Sequence, residues 1–229
     1  MKKYLIASWA LLLCLMMPSV SAASDKEDDI ARTQNAARVF HEIMDAPDSI
    51  PQSALNKARC IAIIPGDKKF AFILGADYGR GLAVCRTATG WSAPLFLAVE
   101  GGSIGYQVGG ASTDLVLLFM NDHALHSLLS DKFKLGGDAS VAAGPVGRDA
   151  SAGTDLKLTA EILSYSRSKG VFAGVSLDGT VVHADKSGDR AMYGPDVPRH
   201  DVLSGNVPVP QDARRLDAEL QRYSPSAGD

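Results

Sequence analysis

One glycine-flanked serine is the first candidate for covalent chemistry. Ser103 lies in the string Gly-Gly-Ser-Ile-Gly, which matches the G-x-S-x-G pattern of a nucleophilic serine on a sharp strand-to-helix turn. His183 could complete a Ser–Asp–His set with Asp155 or Asp178. Residues 104–110, however, are glycine-rich and alternate like a strand, where that motif requires a helix. We therefore expect a hairpin turn, assign no catalytic residue, and keep a serine esterase as a minor alternative.

The remaining motifs indicate neither a metal nor a nucleotide cofactor. His123 and His126 are three residues apart beside Asp122, but no further cluster of histidine, cysteine or glutamate has the spacing of metal ligands. The string Gly79-Arg-Gly81 lacks the third glycine and the following helix of a dinucleotide-binding fingerprint. We predict no cofactor and no metal site.

Basic residues in turns are the remaining candidates for a binding site. Backbone N–H groups and a guanidinium in a turn can converge on a phosphate, so such cations indicate an anionic ligand if they share one face. Solvated loop charge is the competing interpretation for any single residue. The residues that carry the hypothesis are Lys68, Lys69, Arg80, Arg86 and Arg148.

The overall charge limits what these cations can bind. The chain has 229 residues, of which 46% are hydrophobic and 21% charged, as in ordinary globular proteins. Lysine and arginine number 23 and aspartate and glutamate 26, which gives a formal net charge of −3. This balance argues against a broadly cationic nucleic-acid-binding protein. A local cluster of cations is still compatible with an anionic partner.

Residues 1–22 have the pattern of a secretory signal peptide. Lys2 and Lys3 precede an apolar run from Tyr4 to Met17, and the small residues up to Ala22 suit cleavage there. A transmembrane anchor is the weaker interpretation, because the run is shorter than the roughly 20 residues that a spanning helix needs. Loss of the two lysines changes the net charge from −3 to −5. The pattern predicts an exported protein that is periplasmic or associated with an envelope membrane.

The three cysteines fit export in different ways. Cys14 lies in the predicted signal and follows three leucines, which resembles a lipoprotein processing site, although Leu13 is not the small residue usual there. Lipid anchoring at Cys14 is thus an alternative to cleavage near Ala22. Cys60 and Cys85 form an even pair, and an oxidising compartment would allow them to form a disulfide. Two buried free thiols are the alternative.

The elements that position these residues follow from hydrophobic periodicity. Residues 28–44 carry apolar side chains at three- and four-residue steps, with Arg32 among the polar residues, and this predicts an amphipathic helix. Its acidic start would repel anionic lipid, so we expect it to pack on the core instead of lying on a membrane. Residues 121–129 predict a short helix with an Asn cap.

From Cys60 to about Asp185, short apolar runs alternate with glycine-rich turns, and Asp178-Gly179 predicts a two-residue hairpin. The predicted fold class is α+β, with a glycine-rich, mainly antiparallel, curled or barrel-like sheet, an N-terminal amphipathic helix and short helices. We divide the chain into a signal peptide at 1–22, one domain at 23–194 and a proline-rich extended tail at 195–229, in which Gln211 to Arg222 could form a short terminal helix.

Several strings between about Ala31 and Gly194 resemble, in order, the motifs of the SYLF lipid-binding family. They are Cys60-Ile-Ala-Ile-Ile-Pro65 with Lys68-Lys69, Tyr78-Gly-Arg-Gly81, Gly90-Trp-Ser-Ala-Pro94, Gly101-Gly-Ser-Ile-Gly105, Ser112-Thr-Asp-Leu115, Phe133-Lys-Leu-Gly-Gly-Asp138, Ala143-Gly-Pro-Val-Gly-Arg148 and the run from Tyr165 to Gly179.

The resemblance implies a phospholipid- or phosphoinositide-binding module, which in eukaryotic relatives is linked to membrane remodelling and actin. Export would separate this chain from cytosolic actin and phosphoinositides, which narrows the expected partner to anionic phospholipid of a bacterial envelope membrane. We expect a non-enzymatic protein that docks on headgroups through the five turn cations, with a shallow apolar contact from Phe70, Trp91 or Phe133. A structural or partner-binding envelope protein, whose protein partner is unknown, is the main alternative.

Overall fold

The computed structural model describes residues 20–66, 77–101, 113–147, 159–168 and 170–225. Residues 1–19, which hold most of the predicted signal peptide, lie outside these ranges, and the signal stays a prediction. Within them, no helix is both long and apolar enough to cross a membrane. The helices are α1 (Val20–Met44), α2 (Gln52–Lys57), α3 (Asp122–Leu129), α4 (Lys186–Tyr193), α5 (Arg199–Leu203) and α6 (Arg214–Tyr223), the last preceded by a 3₁₀ turn (Gln211–Ala213).

Within the described residues, ten strands form one strongly curled, half-barrel sheet. They are β1 (Cys60–Ile64), β2 (Asp77–Thr87), β3 (Gly90–Trp91), β4 (Leu95–Gly101), β5 (Thr113–Phe119), β6 (Lys132–Lys134), β7 (Val141–Ala143), β8 (Ile162–Ser168), β9 (Val171–Gly174) and β10 (Val181–Ala184). Their order is β6-β10-β4-β2-β1-β5-β8-β7, with β3 beside β2 and β9 beside β8. Among these described strands only β7 and β8 pair in parallel. The predicted α+β class with a mainly antiparallel curled sheet is confirmed.

The central strands are buried on both faces. In β1, Ile61 and Ile63 belong to the apolar cluster that includes α1, whereas Cys60, Ala62 and Ile64 belong to the cluster on the opposite face with α3 and α5. A strand that is covered on both sides has no polar alternation, which explains why its sequence is one continuous apolar run.

Helix α1 confirms the predicted amphipathic helix and adds buried charges to it. Ala36, Phe40 and Ile43 are fully buried, as their spacing predicts. Asp29 and Arg32 lie on the same buried stripe. The assignment of Arg32 to the polar face is therefore wrong, because its guanidinium is paired with carboxylates inside the protein.

The expected hairpin at Asp178-Gly179 is also wrong. Gly179 does adopt a positive φ of 86°, and the N–H of Thr180 donates to the carbonyl of Leu177 in a turn. The two flanking strands nevertheless pair elsewhere: β9 lies beside β8, and β10 lies between β4 and β6. The turn is held instead by the carbonyl of Leu135, which accepts from the N–H of Gly179 at 2.9 Å.

The C-terminal segment, predicted to be extended with a short helix from Gln211 to Arg222, contains α5, the 3₁₀ turn and α6. Leu216 and Leu220 of α6 are almost fully buried in the same cluster as Phe40 of α1. These two leucines give only a short apolar pattern within a polar sequence, so the tail interpretation missed their docking. Residues 214–223 are part of the packed structure.

Two glycines in β2 make room for the curl of the sheet. A Cβ atom on Gly81 would lie 2.5 Å from the carbonyl oxygen of Ile63 and 2.9 Å from the Cα of Ile64. A Cβ atom on Gly79 would meet the side chain of Ile64 at 2.8 Å. The pairing of β1 with β2 stops at Ile63 and Leu82, while β2 continues beside β4 to its first residue. These contacts explain the glycines of the string Tyr78-Gly-Arg-Gly81.

We expect Gly81→Ala to lower the free energy of unfolding by about 1–3 kcal/mol, because backbone atoms must move to admit the methyl group. Gly137→Ala is the matched control, since its Cβ would meet only the flexible Lys134 side chain at 3.5–3.7 Å. Denaturant unfolding of both variants measures the difference. Equal stability of the two variants would show that β1 and β2 do not approach closely at this point.

Candidate functional site

The ends of several strands meet at one edge of the sheet. Asp77 of β2 lies opposite Gly101 of β4, Ile64 of β1 lies opposite Leu115 near the start of β5, and β5 begins opposite Ser168, the last residue of β8. We call this the loop edge. The chain leaves it at Gly66 and returns at Asp77, and it leaves again at Gly101.

Four of the predicted contact residues cannot be located relative to this edge. Lys68, Lys69, Phe70 and Arg148 lie outside the described residues, so their roles stay predictions. The described residues before and after Lys68, Lys69 and Phe70 lie at the loop edge, because β1 ends and β2 begins there.

Arg80 lies near the loop edge in a group of four charges that we call the Arg80 cluster: Asp29, Arg32, Arg80 and Asp185. Nε and Nη2 of Arg80 donate to Oδ2 of Asp185 at 3.2 and 2.7 Å, and Nη1 of Arg32 donates to the same oxygen at 3.0 Å. Nη2 of Arg32 lies 2.8 Å from Oδ1 of Asp29. The cluster joins α1, β2 and the N-terminus of α4.

The two carboxylates of the Arg80 cluster have opposite pKa shifts. Burial opposes ionisation of Asp185, but hydrogen bonds from Ser187, Arg80 and the N–H of Gly188 outweigh it and hold its pKa well below the ordinary value. Burial raises the pKa of Asp29 to about 6, in spite of the arginines beside it. Neither oxygen of Asp29 accepts a well-aligned hydrogen bond among the described residues, which explains why burial dominates there.

A second carboxylate fixes the middle of α4. Oδ1 of Asp189 accepts from the N–H of Phe96 in β4 at 2.7 Å, and Oδ2 pairs with Arg199 of α5. Arg199 also donates to the carbonyl of Leu128 at 3.1 Å. Burial raises the pKa of Asp189 to about 6, although Arg199 lowers it. Helix α4 is therefore attached to the sheet at two separate points.

Another ion-pair group lies directly on the loop edge. Arg167 of β8 donates to Oδ2 of Asp114 from Nε at 2.9 Å and from Nη2 at 2.7 Å, and Nη2 lies 2.6 Å from a carboxylate oxygen of Glu42. Oδ1 of Asp114 accepts from the N–H of Gly66 at 2.8 Å. Asp114 thus fixes the point where the chain enters the segment that contains Lys68 and Lys69.

Arg86 is partly buried, and its guanidinium is engaged by acceptors of the protein itself. Its guanidinium donates to the carbonyls of Leu55, Ala58 and Pro225 and to the hydroxyl of Ser224. It also lies over the ring of Trp91, with 4.5 Å between Cζ and the ring centroid. The expectation of lipid contact at Arg86 needs correction, because these contacts anchor the C-terminal segment to α2 and β3.

The expected apolar contacts from Trp91 and Phe133 need the same correction. Trp91 is 4% exposed, and its Nε1 donates to the carbonyl of Ser224 at 3.1 Å. Phe133 is 5% exposed and packs edge-on against Phe119 with ring centroids 6.2 Å apart. Both rings are part of the core and have little surface to offer a membrane.

Cys60 and Cys85 lie directly opposite each other in β1 and β2, and the structure joins their sulfur atoms in a disulfide. Ser103 lies outside the described residues. Nε2 of His183 lies 3.0 Å from a carboxylate oxygen of Glu100, and Asp178 accepts from the hydroxyl of Ser176. In the part of the chain that the structure describes, no three His, Cys, Asp or Glu side chains are arranged to hold a metal ion.

A protein-family profile described as "Ysc84: Las17-binding protein actin regulator" matches residues 100–223. The chain belongs to the Ysc84 family. This is the SYLF family that its motifs resemble. The match includes α6 and so extends past residue 194, the predicted end of the domain.

Individual relatives cover more of the chain. It is 33% identical to the human SH3 domain-containing YSC84-like protein 1 over 206 residues, which are 88% of this chain and 60% of the human protein. It is 34% identical to Protein YSC84 of Saccharomyces cerevisiae over 196 residues, 81% of this chain and 42% of the yeast protein. The chain therefore spans about half the length of these members of the Ysc84 family.

Sequence reasoning missed Asp29, Arg32 and Asp185 as members of the site. A signal for the first two was present, because they fall on the same helical stripe as Ala36 and Phe40. Charged residues on an apolar stripe indicate buried ion pairs. Asp185 had no such signal, since its partners are 105 and 153 residues away in sequence.

We expect Arg86→Lys to lower the free energy of unfolding by about 2 kcal/mol, since one ammonium cannot replace a guanidinium that reaches several acceptors. Arg59→Lys is the control: Arg59 is exposed and pairs with the exposed Asp122, so its effect should stay within about 0.5 kcal/mol. Denaturant unfolding tests this. Unchanged stability together with weaker vesicle binding would instead make Arg86 a lipid ligand.

The stability supplied by Asp29 should depend on pH. Its pKa of about 6 in the folded protein exceeds the ordinary 3.8, so its contribution is fully present below 3.8 and is lost as the pH rises through 6. Relative to Asp29→Asn, the parent protein should lose about 1 kcal/mol of unfolding free energy between pH 5 and pH 7. Denaturant unfolding at both pH values measures this, with Asp28→Asn as the control for one lost charge. A difference that does not change with pH would contradict it.

Proposed function

We propose that this protein is a non-enzymatic phospholipid-binding protein of the bacterial cell envelope, which docks on anionic headgroups through lysine and arginine side chains. The resemblance to the SYLF lipid-binding family supports a lipid ligand. The family description names binding and regulation, which supports a binding protein over an enzyme.

The observation that carries this proposal is that Arg80 and Arg167 lie near the loop edge, where the described chain before and after Lys68 and Lys69 also ends. The segment with Lys68 and Lys69 is attached there at both ends, at Gly66 and at Asp77. Arg80 lies three residues after Asp77 in β2, and Arg167 precedes Ser168, the last residue of β8. Cations from several strand ends at one edge are the arrangement that docking on a flat anionic surface requires.

The charge of the protein sets the strength of this contact. After removal of the signal the net charge is −5, so the rest of the surface is repelled by an anionic membrane. Each basic residue at such a surface contributes about 1 kcal/mol. Three or four cations therefore give weak binding that falls as salt screens the charges.

Export is supported by two features of the chain. The N-terminal sequence has the pattern of a signal peptide. The Cys60–Cys85 disulfide suits an oxidising compartment, where such bonds persist. We propose a periplasmic or envelope-membrane location, with cleavage near Ala22 preferred over lipid anchoring at Cys14.

Binding of a protein partner is the second candidate function. It is favoured by the family description, which names Las17 binding and actin regulation. This chain spans 60% or less of the relatives compared above, so those activities need not reside in the shared part.

Co-sedimentation with vesicles tests the lipid proposal. We expect binding to phosphatidylglycerol vesicles at low salt, little binding to phosphatidylcholine vesicles, and loss of binding at high salt. Replacing both Lys68 and Lys69 with glutamine should weaken binding about 10- to 30-fold. The same replacement of Arg214 and Arg215, which are exposed at the start of α6, is the matched control, because α6 contacts β3 at the opposite end of β2 from the loop edge.

Equal binding to neutral and anionic vesicles would contradict the electrostatic mechanism. Absence of vesicle binding together with a co-purified protein would favour the partner-binding candidate. Ser103→Ala should leave vesicle binding unchanged, and ester hydrolysis that this variant abolishes would instead support the esterase.

A further inference from the structure

Three N–H groups from two arginines converge on one oxygen in the Arg80 cluster. Oδ2 of Asp185 accepts from Nε and Nη2 of Arg80 and from Nη1 of Arg32, at 2.7–3.2 Å. Paired guanidinium groups around a single oxyanion are the arrangement by which proteins hold a phosphate oxygen. Here the oxyanion belongs to the protein itself.

We propose that the junction of α1, β2 and α4 is a phosphate-binding site in which Arg32 and Arg80 are the cations and Asp185 is an internal occupant that the ligand must displace. The ligand class is the phosphate of a phospholipid headgroup. This inference rests on the proposed lipid-binding function, to which it adds Arg32 as a ligand and Asp185 as an inhibitory group.

The charge of the cluster explains the inhibition. Among the described residues of the cluster, two arginines and two aspartates give a formal charge of zero, so it attracts a phosphate only weakly while both carboxylates are ionised. Removing the charge of Asp185 leaves a net charge of +1 at the same arginines. The pKa of Asp29 is raised, so its carboxylate is protonated at a higher pH than that of Asp185. This supports Asp185 as the carboxylate that keeps the cluster neutral.

The exposure of the cluster defines the path of the ligand. The side chain of Arg80 is 25% exposed, whereas that of Arg32 is 7% exposed, so a headgroup meets Arg80 first. Arg80 is also the member of the cluster that lies in β2 toward the loop edge. Reaching Arg32 requires Asp185 to move away.

Helix α4 is built so that Asp185 can leave while the helix stays attached. Asp185 is the N-cap residue of this eight-residue helix, at its very start. Asp189 contacts the N–H of Phe96 and the guanidinium of Arg199 one turn further along. Phe96 also lies under the guanidinium of Arg32, with 5.2 Å between Cζ and the ring centroid, but this contact does not involve the side chain of Asp185. Displacing Asp185 therefore does not require α4 to leave the sheet.

Asp185→Asn tests the proposal, because asparagine keeps an oxygen that can accept from the N–H of Gly188 and loses only the charge. We expect about fivefold tighter binding to phosphatidylglycerol vesicles at low salt. Asp131→Asn is the matched control, since it removes the same charge from an exposed residue paired with Lys186 of α4. This control should change binding less than twofold.

A double variant tests whether the tighter vesicle binding occurs at Arg80. Adding Arg80→Gln to Asp185→Asn should abolish the increase in affinity. Asp185→Ser, which also retains a cap acceptor, replaces Asp185→Asn if that variant does not fold.

Calorimetric titration with sn-glycerol 3-phosphate distinguishes recognition of a free phosphate from recognition of a headgroup in a membrane.

The outcomes separate the inference from the function on which it rests. Vesicle binding that is the same for the parent protein and Asp185→Asn, or that increases equally in Asp131→Asn, overturns the inference and leaves lipid binding intact. Tighter binding of glycerol phosphate by Asp185→Asn with no vesicle binding supports the phosphate site and contradicts the membrane function. Absence of binding to either probe in every variant overturns both.

Discussion

The interaction on which the structure depends is the shared hydrogen bonding of Asp185 by Arg32 and Arg80. It joins the N-terminal helix, a central strand and the start of α4 at one buried point. Charges removed from water must be paired, so in the proposed exchange the phosphate of the ligand has to replace Asp185 as the partner of both arginines. The position of α1 on the sheet is therefore fixed by charge as well as by the packing of Phe40 and Ile43.

Ion pairs of this kind also limit how strongly the arginines can bind an anionic ligand. Arg80 and Arg167 lie near the loop edge, yet each is held by carboxylates from other elements. An acidic protein that neutralises its own arginines would, under the lipid-binding proposal, dock on a membrane only locally and weakly. In that proposal, Lys68 and Lys69 supply the initial attraction, and the arginines determine how firmly a headgroup is held.

The sequence predicted the features that depend on neighbouring residues. The spacing of Phe40 and Ile43 predicted α1, and Asn121 predicted the cap of α3, where its side chain accepts from the N–H of Ala124. Features that depend on distant partners were missed or misassigned. Arg86 points toward carbonyls at the C-terminus, and Asp178-Gly179 connects strands that pair elsewhere, and neither arrangement leaves a local pattern in the sequence.

Native mass spectrometry of the full-length protein expressed and extracted from bacterial envelope membranes tests the central claim most directly. We predict a mature chain that starts at Ala23, carries an acidic phospholipid and lacks the two thiol protons of Cys60 and Cys85. A chain that is recovered without lipid, in a stable complex with another protein, would contradict the account.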